Sequence, residues 1–124
     1  MGGAVDHARF VSMLAEQFPA IDADIDECRR GLLHCEMGAF ALATQAAISA
    51  EDAATVREHF SFIDDVYRQA TPEVKNAVYV SYLEHLSFDG RHGKRIGARE
   101  LLSAQLQTAL REVEGYWAEL DERD

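Results

Sequence analysis

The sequence predicts an all-α fold: a single-domain bundle over residues 1–124, with about five helices around a central apolar helix at 71–86. Three observations predict it. The chain has only two prolines, Pro19 and Pro72, and few alternating β-type runs. Apolar residues make up 48% of it, enough for one packed core at this length. Finally, Thr71–Phe88, TPEVKNAVYVSYLEHLSF, is apolar around most of its helical circumference, the pattern of a helix covered by neighbours on nearly all sides.

In chain order, Asp6–Phe18 reads as the first helix, with Phe10, Leu14 and Phe18 at i, i+4 and i+8 and Val11 beside them; Pro19 ends it. The next stretch, Ile21–Glu27, alternates apolar and acidic residues. Aspartates are poor in strands and suit the first turn of a helix, where they meet the positive end of the dipole. A second helix is therefore expected from Ala20 towards Ser49, with Gly31 as a point of weakness. Its inward face is Leu33, Met37, Phe40, Thr44, Ala47 and Ile48, and the small residues Gly38, Ala39, Ala41, Ala43 and Ala46 would let a neighbour approach closely.

Ser49-Ala50-Glu51-Asp52 resembles a capping box with Asp in place of Glu, and starts the third helix. Val56, Phe60, Ile63 and Tyr67 point inward there, Phe62 and Val66 lie adjacent, and Glu51, Asp52, Glu58, Asp64 and Asp65 form an acidic outer side. Thr71 caps the central helix through its hydroxyl, and Pro72 takes the first helical position, where a missing N–H costs nothing. Val74, Ala77, Val78, Val80, Leu83 and Leu86 fill its sides. β-Branched valines are modest helix formers, so packing must hold this helix. The short turn at Gln69–Thr71 predicts an antiparallel hairpin of the third and central helices. Asn76 competes with the helix backbone for hydrogen bonds, and is expected as a buried amide joining two helices. Ser87–Gly97, SFDGRHGKRIG, breaks all periodicity and reads as a basic loop; Glu84 and Asp89 at the end of the central helix also want partners, and the glutamate would fasten the loop by pairing with Arg91 or Arg95. The last helix, Ala98–Leu120, carries Leu102, Leu106, Ala109, Val113, Tyr116 or Trp117, and Leu120 inward, before a fraying acidic end.

A net charge of −10 argues against general nucleic-acid binding, which needs basic surface to displace counterions from phosphates. It suits solubility and attraction of a basic protein partner. No run of about 18 apolar residues suggests a membrane span, and MGGAVDHARF lacks the layout of a secretory signal. The expected compartment is the cytoplasm. Cys28 and Cys35, seven apart, would sit about 10 Å from each other on one helix, too far for a disulfide; half-buried reduced thiols are expected.

Gly90-Arg91-His92-Gly93-Lys94-Arg95 fails as a phosphate loop: Phe88 stands five before Gly93, Arg95 replaces the magnesium-binding Ser or Thr, and no strand precedes it. His34, Cys35, Glu36 and Cys28 lack the tight spacings of a zinc site; His34, His59 and His85 lie on different predicted helices that packing could bring together, but ordinary helix histidines are expected. Ser81 has neither an elbow motif nor a glycine-rich oxyanion turn. The sequence thus points to no enzyme, cofactor or metal.

His34-Cys35-Glu36-Met37-Gly38, Arg57-Glu58-His59-Phe60-Ser61-Phe62 and above all Asn76-Ala77-Val78-Tyr79-Val80-Ser81-Tyr82-Leu83-Glu84-His85-Leu86 resemble a family of small uncharacterised all-helical bacterial proteins. The resemblance runs through Leu32–Leu86 and weakly into Leu101–Trp117. Members resemble the acidic immunity proteins encoded beside secreted polymorphic toxins. The resemblance implies a cytosolic immunity or antitoxin-like protein that occludes a cognate, basic toxin, and implies no catalytic residue. The residues expected to meet the toxin are Glu51, Asp52, Glu58, Asp64 and Asp65, with Asp22, Asp24 and Asp26 as a second patch. The alternative is a helical adaptor or self-associating scaffold, with Tyr116 and Trp117 as a homodimer contact; a metal sensor or small enzyme built on His34, Cys35 and His85 is a third reading.

Overall fold

The computed structural model describes residues 4–123, with side chains described for 4–116. Among these residues there are eight α-helices and no strand, so the fold is all-α as predicted. They are α1 His7–Gln17, α2 Pro19–Ala23, α3 Leu33–Ser49, α4 Ala53–Arg68, α5 Pro72–Ala77, α6 Arg91–Ile96, α7 Ala98–Leu101 and α8 Ala104–Arg123. α5 runs on into a π-helical segment, Val78–Tyr82, and a 3-10 turn, Leu83–His85. These three pieces form the central helix.

The helices number eight rather than about five because local side-chain bonds and glycines divide two long predicted elements and a further short helix, α6, forms within the predicted loop. The expected second helix divides into α2 and α3. Between them the Asp26 carboxylate accepts from the Arg29 backbone N–H at 2.9 Å, the Arg30 guanidinium donates to the Asp22 carbonyl at 2.7 Å, and Gly31 adopts φ +90°. The acidic alternation is mostly turn. The predicted last helix divides at Leu102, where ψ is 147°, and α8 restarts with Ser103 Oγ accepting from the Leu106 N–H. The expected basic loop contains α6, which Gly97 stops at φ +65°, the left-handed conformation glycine adopts without strain.

The junction of α3 and α4 is also not the predicted capping box. Asp52 is itself the cap of α4, accepting from Thr55 N–H and hydroxyl. Glu51 lies at φ +56°, with its N–H donating to the Ile48 carbonyl and that of Asp52 to Ala47. This is the paired-bond closure in which a left-handed residue ends a helix, here with glutamate where glycine is usual. His92 and Arg95 of α6 approach the Glu51 carboxylate at 3.3 and 3.4 Å, tying α6 to this corner.

The predicted inward face of α3 is correct in every member: Leu33, Met37, Phe40, Thr44, Ala47 and Ile48 are all buried. The central helix packs chiefly on α3, rather than in the expected hairpin with α4. Phe40 sits at the centre, its ring 5.5 Å from Phe18, 4.8 Å from His59, 5.2 Å from Phe62 and 5.4 Å from Tyr82. An isolated parallel bridge ties the N-terminal segment to the α4–α5 turn: Val5 N–H donates to Gln69 O, and Thr71 N–H to Val5 O.

One polar network crosses this apolar centre. Thr44 Oγ1 donates to the Phe40 carbonyl at 3.1 Å, which leaves its lone pairs for His59 Nδ1 at 2.8 Å and the Tyr82 hydroxyl at 2.9 Å. The set closes when His59 is neutral with its proton on Nδ1. Burial lowers the His59 pKa below 6.5, against a smaller upward pull from Asp52. The unfolded chain therefore takes up the proton first. Stability conferred by neutral His59 is fully present above 6.5 and is lost as pH falls through the folded-state value. Urea midpoints are expected to fall on acidification from neutral pH, and His59→Gln should flatten that slope; equal slopes in both proteins would exclude His59 as its origin.

Candidate functional site

The central helix buries one side and shows the other. Val74, Ala77, Val78, Ser81, Tyr82 and Leu83 are buried against the bundle. A π turn inserts extra backbone into the helix and changes the phase of the side chains that follow. Here it turns Tyr79 and Val80 outward while Tyr82 stays in the core. Asn76, Tyr79, Val80 and Glu84 thus form one wall of a groove of about 400 Å³, and Glu112, Val113 and Tyr116 of α8 form the other. Asn76 is exposed at its rim, which corrects the expected buried amide.

The groove has a hydrogen-bonded floor. The hydroxyls of Tyr67 and Tyr79 lie 2.7 Å apart, their rings edge to face, and Tyr79 donates to Glu112 Oε2 at 3.1 Å. The hydrogen bond with Tyr67 and partial burial, with Glu112 adding to them, raise the Tyr79 pKa well above that of a free phenol. Tyr79 therefore stays protonated and donates to the exposed Glu112 carboxylate through Oε2. Tyr116, 59% exposed, stands on the opposite side. It was expected inward or in a dimer contact; Trp117 and Leu120, also named for α8, lie outside the residues with described side chains.

A second hollow of about 300 Å³ shares Glu84 and Val113 with the groove. It holds Arg99, whose guanidinium bonds Asp89 through Nε and Nη2 and Glu114 through Nη1 and Nη2, and lies 5.8 Å from the centre of the Phe88 ring. The basic segment is thus fastened by Asp89 through Arg99, not by a glutamate pairing with Arg91 or Arg95 as expected.

The acidic residues expected to meet a partner are scattered by the fold, and several have internal roles. Glu51 faces His92 and Arg95, Asp52 caps α4, and Asp64 binds Arg68, Ser103 and Gln105. Asp22 pairs with Arg30, and Asp26 caps a turn and meets Arg29. Glu58, Asp65 and Asp24 stay exposed, Asp65 at 4.0 Å from Arg68. The groove carboxylates Glu84 and Glu112 were not expected at a site. Glu84 has one sequence signal, a carboxylate on a helix that is otherwise apolar, and Glu112 has none on the polar helix α8.

The residues considered for metal or nucleophilic chemistry do not converge. His34 Nδ1 lies 2.7 Å from Ser81 Oγ, Glu36 is buried against His7 Nε2 and the Gly31 N–H, and His59 belongs to the core network. Both cysteines are free and exposed, not half-buried. Among the described residues no group of three or more His, Cys, Asp or Glu is placed to hold a metal ion, and no helix is long and apolar enough to cross a membrane.

The sequence model of a family described as Domain of unknown function (DUF7674) matches residues 11–118. No curated protein and no solved structure matches the chain. The chain belongs to the DUF7674 family.

Proposed function

We propose that this member of the DUF7674 family is a cytoplasmic binding protein of the immunity or antitoxin type, which neutralises a basic toxin by covering it with an acidic surface. The observation that supports this best is the groove between the central helix and α8, where two phenol rings and the Glu84 and Glu112 carboxylates line one recess. Aromatic side chains give contact area at low entropic cost, and carboxylates confer charge specificity. A net charge of −10 steers a basic partner towards the chain, and contacts shielded from water then slow its release. The toxin class comes from the resemblance of the Asn76–Leu86 block, which supplies one groove wall.

Purification of the untagged protein from its native host, at low and moderate salt, tests this reading. It predicts one stoichiometric basic protein that is shed as salt rises, is toxic when expressed alone, and is harmless when this chain is co-expressed. A co-purifying protein that is not toxic, or whose toxicity persists beside this chain, would contradict it.

A self-associating scaffold is the second reading, favoured by the outer face of α3. Leu42 is 64% exposed there, beside Ala39 and Ala43, and Leu32, just before the helix, is 54% exposed. Sedimentation equilibrium of the purified chain distinguishes a dimer from a monomer that waits for a partner.

A further inference from the structure

Resting on the self-association reading rather than on the toxin reading, we infer that the outer face of α3 docks on the same face of a second copy of this chain. A helix that is apolar on all sides is normally covered on all sides. α3 is of that kind: of its 17 residues only Glu36 is an Asp, Glu, Lys or Arg, and it is buried. The bundle covers the side that carries Met37, Phe40 and Thr44. It leaves Cys35, Leu42 and Ala46 exposed, with Ala39 and Ala43 half-buried beside them. Among the described residues the exposed large apolar side chains are Leu32, Leu42 and Tyr116, so two of the three stand on this helix or just before it.

Two features identify the occupant as another copy. The first is charge. A basic partner is drawn to carboxylates, and α3 exposes none. Two chains of net charge −10 repel each other, and they repel least across a face without carboxylates. The second is self-complementarity. Leu42 stands beside a hollow of about 250 Å³ that it lines with Ile21, Asp24, Arg29, Ala39 and Ala43. A twofold axis here places Leu42 of each copy over the hollow of the other, and sets Asp24 of one copy against Arg29 of the other. Within its own chain Arg29 meets Asp26 at 3.7 Å, with both side chains more than half exposed, so its guanidinium keeps donors for a second carboxylate. A face with a protruding leucine, a hollow next to it and one rim charge of each sign fits itself.

Sedimentation equilibrium of the full chain, from about 1 to 300 µM, tests the inference. Reducing agent is present throughout, because Cys28 and Cys35 are free and exposed. A monomer–dimer equilibrium with a Kd of about 10–100 µM is expected, the strength of a small interface with one apolar anchor per copy. Raising salt should tighten it by screening the repulsion between the two acidic chains, the reverse of what a basic partner would show. Leu42→Glu puts an unpaired carboxylate at the centre of the contact and should raise Kd by about 100-fold or more. Its urea midpoint, read at about 1 µM where the chain is monomeric, should stay unchanged, since the site is exposed in one copy. Asp24→Arg should weaken pairing by about threefold, and adding Arg29→Asp should restore it, because the rim again offers one charge of each sign. Failure of that rescue would overturn the twofold placement. A dimer untouched by Leu42→Glu, or one that salt dissolves, would overturn the α3 face and leave self-association to another surface. A chain that stays monomeric at about 300 µM would overturn both.

Discussion

Replacing Gly93 by alanine will destabilise the fold by about 3 kcal/mol or more, a large fraction of the stability of a domain this size. Gly93 lies within α6, where that helix crosses the chain just before it. A β-carbon there would stand 2.3 Å from the Phe88 carbonyl oxygen and 2.7 Å from that of Ser87. Both obstacles are backbone, so no side-chain rotation relieves the contact, and α6 must lift. Its ties to Glu51 would be disturbed with it. Gly38 in α3 and Gly115 in α8 are the controls, since a β-carbon at either meets nothing within 4 Å. Alanine at those positions should stabilise by up to about 1 kcal/mol, through helix propensity alone. Urea unfolding followed by circular dichroism reads all three. A Gly93→Ala protein as stable as Gly38→Ala would show that α6 does not pack as described.

Phe40→Ala should be of similar size, about 3–5 kcal/mol, the usual range for emptying a buried aromatic site. Phe40 contributes more than its own area, because its ring meets Phe18, His59, Phe62 and Tyr82, residues from three other parts of the bundle. Aromatic pairs add about 0.5–1.5 kcal/mol each beyond simple burial. Leu42, two positions further along the same helix, is the comparison. It is 64% exposed, and its replacement by alanine should change stability by no more than about 0.5 kcal/mol. Similar losses at the two positions would mean that α3 is rotated from the orientation described.

The contrast between Phe40 and Leu42 also marks what was legible in the sequence. A long amphipathic face repeats the same signal many times, so the apolar inward residues of α3 and most of those of α4 were readable from spacing. Buried Glu36 and His59, and the half-buried position of Tyr67, were not. Breaks are different, because each depends on one or two local bonds. The turn from Asp24 to Leu32 follows from Asp26 and Arg30 bonding back to nearby backbone, and an acidic, apolar-alternating sequence reads equally well as a helical first turn. The position of α6 depends on Gly93 meeting a chain segment five residues away, which no periodicity records.

The groove was half legible. Thr71, Pro72 and the apolar run located the central helix, but treating it as uniformly covered made Asn76 a buried amide. Within the π turn at Val78–Tyr82, Tyr79, Ser81 and Tyr82 bond to Tyr67, His34 and Thr44, at three separate positions of α3 and α4. Spacing along one helix cannot reveal bonds of that kind. The acidic patches met the opposite limitation: composition shows how many carboxylates exist, but not which ones the fold engages in capping and ion pairs.

Charge reversal in two places, followed by calorimetric titration with the co-purified partner, tests most directly whether the groove is the recognition surface. Glu84→Lys with Glu112→Lys should lower affinity by about 100-fold or more, whereas Glu58→Lys with Asp65→Lys, on the outer face of α4, should mainly slow association and lower affinity by about threefold. The opposite order, with the partner lost on reversal at Glu58 and Asp65 and retained when the groove is reversed, would contradict the account and place the contact on α4.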